Sequence, residues 1–141
     1  MAPNLTAMLT TAPPPSRRAF AALPVTWAVI VLVLTLTPAD EMPETPHWKL
    51  LSFDTAAHAA VFVLLAVLVC FSAGRQRRFP ALRANVFSLV LLGSVAFGAL
   101  IEVLQMTMKL GRHGEWSDLI SDSLGAVLGL VGMALLRRWW Q

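Results

Sequence analysis

Residues Thr55 to Gly74 read TAAHAAVFVLLAVLVCFSAG, a run with no Lys, Arg, Asp or Glu, in which His58 is the only side chain that titrates near neutral pH. At 1.5 Å per residue a helix of this length approaches the roughly 20 residues needed to cross a bilayer. The same reading holds on both sides of it. Ala19 to Ala39 is uncharged, Ala84 to Ile101 is uncharged, and Leu119 to Leu136 carries only Asp122. The third and fourth runs reach full length when their polar ends, Glu102 to Gln105 and Asp118 to Asp122, are counted into the helices, and the pattern predicts that they are.

Four such runs fill most of a chain of 141 residues, of which 57% are apolar and 13% are charged. An average soluble domain has about 25% charged residues. A chain this small with half that charge cannot cover its own apolar surface in water, which excludes a soluble enzyme and, for the folded part, intrinsic disorder. Cys70 is the one cysteine, so a disulfide scaffold is excluded as well. Its expected role is that of a small apolar filler within a helix. The expected architecture is all-α, a polytopic membrane bundle of four transmembrane helices, with residues 1–18 a disordered cytoplasmic tail and 19–141 the membrane domain.

Breakers separate the runs: Pro38, Pro43 and Pro46, then Gly74 and Pro80, then Gly111 and Gly114. The net charge of +3 comes from 11 basic against 8 acidic residues. Arg17, Arg18, Arg75, Arg77, Arg78, Arg83, Arg137 and Arg138 fall on one side of the expected topology, and only Lys49, Lys109 and Arg112 on the other. By the positive-inside rule both termini of this multi-pass chain are cytoplasmic. The basic charge then belongs to topology rather than to nucleic-acid binding. Trp48 and Trp116 fall at the outer edge and Trp139 and Trp140 at the inner edge, as an aromatic belt requires, while Trp27 sits about two turns into the first span. Ser16-Arg17-Arg18-Ala19-Phe20 before an apolar run is similar to a twin-arginine export signal. However, Thr37-Pro38-Ala39 is a poor cleavage site and the chain beyond it is itself membrane-embedded.

Ionisable groups inside spans cost about 2.5 to 3.5 kcal/mol at a helix centre on insertion scales, so they tend to face the bundle interior and mark function. Asp54 and His58 are four residues apart, on one face and about 6 Å apart along the axis. Glu102 and Gln105 share a face with Ser94 and Gly98. Asp118 and Asp122 share a face that continues through Gly125 and Gly129, a small-residue spacing that reads as helix packing, as does Gly98. In the expected topology all these polar groups lie at the extracytoplasmic ends, with Arg112 in the outer loop as a positive partner. Four carboxyls facing one arginine and one histidine should hold protons, a cation or a ligand with cationic groups. The plainer readings are a satisfied interior histidine for His58, helix N-caps for Asp54 and Asp118, an interhelical hydrogen bond for Gln105 and a loop tie for Arg112. Glu102 and Asp122 lie about a turn inside their spans and cap nothing.

The order Asp54-x-x-x-His58-x-x-x-Phe62, Glu102-x-x-Gln105, Gly111-Arg112, Asp118-x-x-x-Asp122-x-x-Gly125-x-x-x-Gly129 resembles the VanZ-like family of small membrane proteins over roughly Pro24 to Leu136. Three positions depart from its common pattern: Thr55 stands where Lys is frequent, Asp122 where Asn is usual and Phe62 where Tyr is common. The first two make this cluster more acidic. The resemblance implies a link to resistance to glycopeptide antibiotics such as teicoplanin, which act on cell-wall precursors at the outer membrane face.

The leading expectation is a non-enzymatic protein that uses the cluster to bind an envelope lipid, a cell-wall precursor, a glycopeptide or a partner helix. Arg112 and Lys109 would take an anionic group, and Glu102, Asp118 and Asp122 would take amine or hydroxyl donors. No cofactor and no nucleic-acid partner is expected, and a homo-oligomer is compatible with the spans. A different class is an intramembrane metal-dependent hydrolase or transferase acting on a lipid-linked substrate, with Asp54, His58, Glu102 and Asp122 as ligands and a further carboxylate as base. His-Glu-x-x-His and Gly-x-Ser-x-Gly motifs are absent, and His47 and His113 fall in loops. A proton-coupled transporter ranks last, because nothing ionisable continues the cluster through the inner halves of the helices.

Overall fold

The computed structural model of the chain describes residues 19–38, 53–76, 79–108 and 115–136. Every element among them is helical: α1 (Ala19–Thr35), α2 (Phe53–Arg75), α3 (Pro80–Ala84), α4 (Val86–Met108) and α5 (Trp116–Leu135). Three of these, α2, α4 and α5, are long and apolar enough to cross a membrane, and α1 is a shorter apolar helix. The expected N-terminal tail, the loop prolines Pro43 and Pro46, and Trp48, Trp139 and Trp140 lie outside the described residues.

The polar ends belong to the helices. α4 continues past Ile101 through Glu102 and Gln105 to Met108, and α5 begins at Trp116, ahead of Asp118. The apolar run that the sequence carries to Ala39 stops being helical after Thr35, within reach of Pro38, whose ring opposes continuation of a helix. α3 has no counterpart among the four runs. It starts on Pro80, whose fixed φ suits a first turn, and follows a turn held by Gln76, which donates through Nε2 to the Phe79 carbonyl at 2.6 Å and accepts the Phe79 N–H at 2.8 Å.

The most extensive helix interface is between α2 and α5, with α4 packed on both and α1 against α2. The α2–α5 approach is set by glycine. A Cβ on Gly125 would collide with the Ala59 carbonyl, and one on Gly129 would lie 2.7 Å from the Val63 oxygen and 3.0 Å from the Ala66 Cβ. Close backbone approach through small residues is how helices gain contact in lipid, where the hydrophobic effect gives no drive. Ala66, Cys70, Val86, Val90, Ala126, Leu130 and Met133 fill the space between α2, α4 and α5, and Val31, Phe62, Leu65 and Ile101 join α1, α2 and α4. Phe62 is fully buried with its ring 6.0 Å from Phe97. Trp27 donates its indole N–H to the Val61 carbonyl at 3.0 Å, so it ties α1 to α2 rather than anchoring an interface. The outer faces of α1, α4 and α5 carry exposed Val33, Leu92, Leu128 and similar side chains, the surface of a body immersed in hydrocarbon.

Candidate functional site

Charge is sorted along the bundle. The start of α2, the end of α4 and the start of α5 lie at one end, where all five acidic side chains of the described residues sit: Asp54, Glu102, Glu115, Asp118 and Asp122. The described arginines, Arg75 and Arg83, are at the opposite end, Arg75 with its guanidinium 4.9 Å from the Phe71 ring centre. Arg112 and Lys109, the expected positive partners, and His47 and His113, lie outside the described residues.

His58 is the hub of the acidic end. It projects from the second turn of α2 and is 4% exposed, and it is Asp122 on α5, rather than its own helix neighbour Asp54, that meets its Nδ1, at 3.0 Å. The Nε2 side faces Asp118, whose Oδ2 is 3.8 Å away. Asp54, at the exposed start of α2, joins this side: Asp54, His58 and Asp118 each offer one ligand atom within 4.8 Å of the others. Asp118 is in the first turn of α5 but is not its cap. That position is held by Glu115, without a side-chain cap bond.

Glu102 is placed by α5. Its Oε2 accepts the Glu115 backbone N–H at 2.6 Å, an otherwise orphaned donor at the helix start. Its Oε1 is buried and has no hydrogen-bond partner among the described residues, and neither has Oδ2 of Asp122, a residue that is 0% exposed. Asp122 Oδ2 points at Gly98 on α4, where a Cβ would lie only 2.9 Å from it. Gly98 therefore makes room for a carboxyl as well as for a helix. Gln105 is buried and donates to the Thr35 carbonyl of α1 at 2.8 Å, which joins the two helix ends.

Thus Asp54, His58, Asp118 and Asp122 form one contiguous group with Glu102 close by on α4, while Gln105 serves the α1 contact. Sequence reasoning missed three contributors: Glu115, whose backbone holds Glu102; Thr35, whose carbonyl receives Gln105; and Ser121, whose hydroxyl donates to the Thr55 carbonyl at 2.5 Å. Ser121 was findable, three residues after Asp118 on the buried face of α5. The other two act through backbone atoms that leave no mark in a side-chain pattern.

Beside Glu102 a cavity of about 170 Å³ opens between α4 and α5, lined by Ala99, Glu102, Val103, Met106, Glu115, Trp116 and Leu119. Its walls are apolar apart from the two glutamates, and its rim is exposed: Val103, Met106 and Trp116 all face outward, Trp116 at 82%. Chemically the end offers carboxyl acceptors to a donor-bearing group or a three-ligand set to a cation. Ligands 2.0–2.2 Å from a zinc-sized ion stand no more than about 4.4 Å apart, a span comparable with that of the Asp54–His58–Asp118 set.

No curated protein and no solved structure matches the chain. The VanZ/LLP1 family model matches residues 8–137, beginning inside the N-terminal segment and running past the end of α5. By that match over nearly its whole length, this membrane-helical chain belongs to the VanZ/LLP1 family.

Proposed function

We propose that this VanZ/LLP1-family protein spans the bacterial inner membrane four times with both termini in the cytoplasm, and that its acidic end faces outward and binds the donor-bearing headgroup of an envelope lipid, a cell-wall precursor or a glycopeptide antibiotic. The observation that supports this most is the pair of buried carboxyl oxygens, Glu102 Oε1 and Asp122 Oδ2, left without hydrogen-bond partners among the described residues. An unsatisfied buried acceptor costs about 1–3 kcal/mol, more when charged, and a ligand that donates to it recovers that cost on binding. Eight basic residues on the opposite side of the spans against three on this side favour the orientation.

The experiment is teicoplanin susceptibility in a host lacking its own homologue, expressing wild type or Asp118→Asn at equal membrane abundance. Protection by wild type, lost in Asp118→Asn, is the expected result. Equal susceptibility of wild type and empty vector removes the glycopeptide role, and equal protection by both proteins removes the carboxyl from it.

A second reading, the metal-dependent hydrolase or transferase of a lipid-linked substrate, draws on the Asp54–His58–Asp118 group, with Asp122 on the other ring nitrogen of His58. A carboxylate in that place is a common outer partner of a metal-bound histidine. Stoichiometric divalent metal in the same purified protein, with protection lost when chelator strips it, would favour this reading over the first.

A further inference from the structure

We propose that the cavity between α4 and α5 is a lateral entry site for an aminophospholipid from the surrounding bilayer, its primary ammonium donating to the Glu102 carboxyl. This rests on the headgroup-binding reading and narrows it to a chemical class. Three observations converge on it.

The first is the acceptor. Glu102 is 6% exposed and lines the cavity, its Oε2 held by the Glu115 N–H and its buried Oε1 without a partner among the described residues. Because Oε2 is anchored, the carboxyl cannot turn away to find another donor without giving up that bond. The second is shape and position. A volume of about 170 Å³ is close to the roughly 150 Å³ that admits a benzene-sized guest, so the cavity takes an ethylammonium group and leaves the acyl chains outside. They would run along the apolar surface that Val103 and Met106 expose beside the opening. Trp116 in the lining adds an aromatic face, to which ammonium groups are attracted. The third is charge. All five acidic residues of the described part gather at this end and its arginines at the other, which suits a cationic donor over an anionic or neutral one.

The test uses the full-length purified protein in detergent, titrated with phosphatidylethanolamine or phosphatidylglycerol of identical acyl chains and read by native mass spectrometry. The two lipids differ in the ammonium. Wild type should bind phosphatidylethanolamine at least tenfold more tightly. Glu102→Gln, which keeps the shape and an acceptor for the Glu115 N–H, should bring the two lipids within about twofold, and Ala99→Phe, which fills the cavity, should do the same. Leu92→Phe, a similar enlargement on the lipid-facing surface of α4 away from the cavity, should leave the preference unchanged. Equal binding of both lipids by wild type, or a preference that survives in either Glu102→Gln or Ala99→Phe, overturns the proposal. If preference is absent while Asp118→Asn still abolishes teicoplanin protection, this entry site falls and the broader headgroup reading stands.

Discussion

The two oxygens of Asp122 meet different neighbours, and that difference separates its structural role from its functional one. Oδ1 faces His58 Nδ1 at 3.0 Å, and Oδ2 faces Gly98 with no hydrogen-bond donor among the described residues. The first contact joins α2 to α5 between two buried side chains. Removing it by Asp122→Ala takes the partner from His58 Nδ1 and opens a small void, which should cost about 1–3 kcal/mol. Asp122→Asn keeps an acceptor of the same shape and should retain most of the stability. Thermal unfolding in detergent of both variants, combined with His58→Ala in a double-mutant cycle, reads the pair directly, with an expected coupling of about 0.5–3 kcal/mol. Additive effects of His58→Ala and Asp122→Ala would show that the two side chains are neighbours without an energetic bond.

At the scale of the helix, α5 is written with one glycine pair for contact and another glycine for none. Gly125 and Gly129 lie against the α2 backbone, whereas a Cβ on Gly132 or on Gly93 of α4 would meet nothing within 4 Å. Gly125→Ala must push α5 from α2 and should cost about 1–3 kcal/mol through overpacking, with the His58–Asp122 contact strained in the same movement. Gly93→Ala and Gly132→Ala should be neutral or slightly stabilising, since alanine is the better helix former by about 1 kcal/mol. Melting temperatures of the three variants in one detergent decide it, and a Gly125→Ala protein as stable as Gly132→Ala would mean that the close approach at Ala59 relaxes freely. This interface also marks how far the sequence could be read. Charge-free runs located α2, α4 and α5, and the i, i+4 spacing on α5 announced the face that Gly125 and Gly129 bury, because both follow from the helical repeat alone. That Asp122 would meet His58 Nδ1 was illegible, since it depends on how α5 is rotated against α2. α3 was illegible too, being a single turn held by the side chain of Gln76, with too few residues to show a period.

For the molecule as a whole, the separation of charge along the bundle turns topology into function. If the acidic end faces outward, Glu102 and its cavity meet lipids and drugs of the outer leaflet, and if it faces inward they meet the cytoplasmic leaflet instead, where a glycopeptide cannot reach them. The basic residues favour the first arrangement, each short loop contributing to the bias that sets orientation on insertion. Ser117 and Ala84 are exposed positions at the two ends of the bundle, Ser117 in the first turn of α5 and Ala84 at the end of α3, and neither adds or removes charge when replaced by cysteine. The native Cys70 is fully buried, so it contributes little background labelling. In cells with a permeabilised outer membrane, a membrane-impermeant maleimide should label Ser117→Cys within minutes and Ala84→Cys only after the inner membrane is opened. The reverse pattern would put the five carboxyls in the cytoplasm. The aminophospholipid site would then draw on the inner leaflet, and the glycopeptide role would fail on geometry alone.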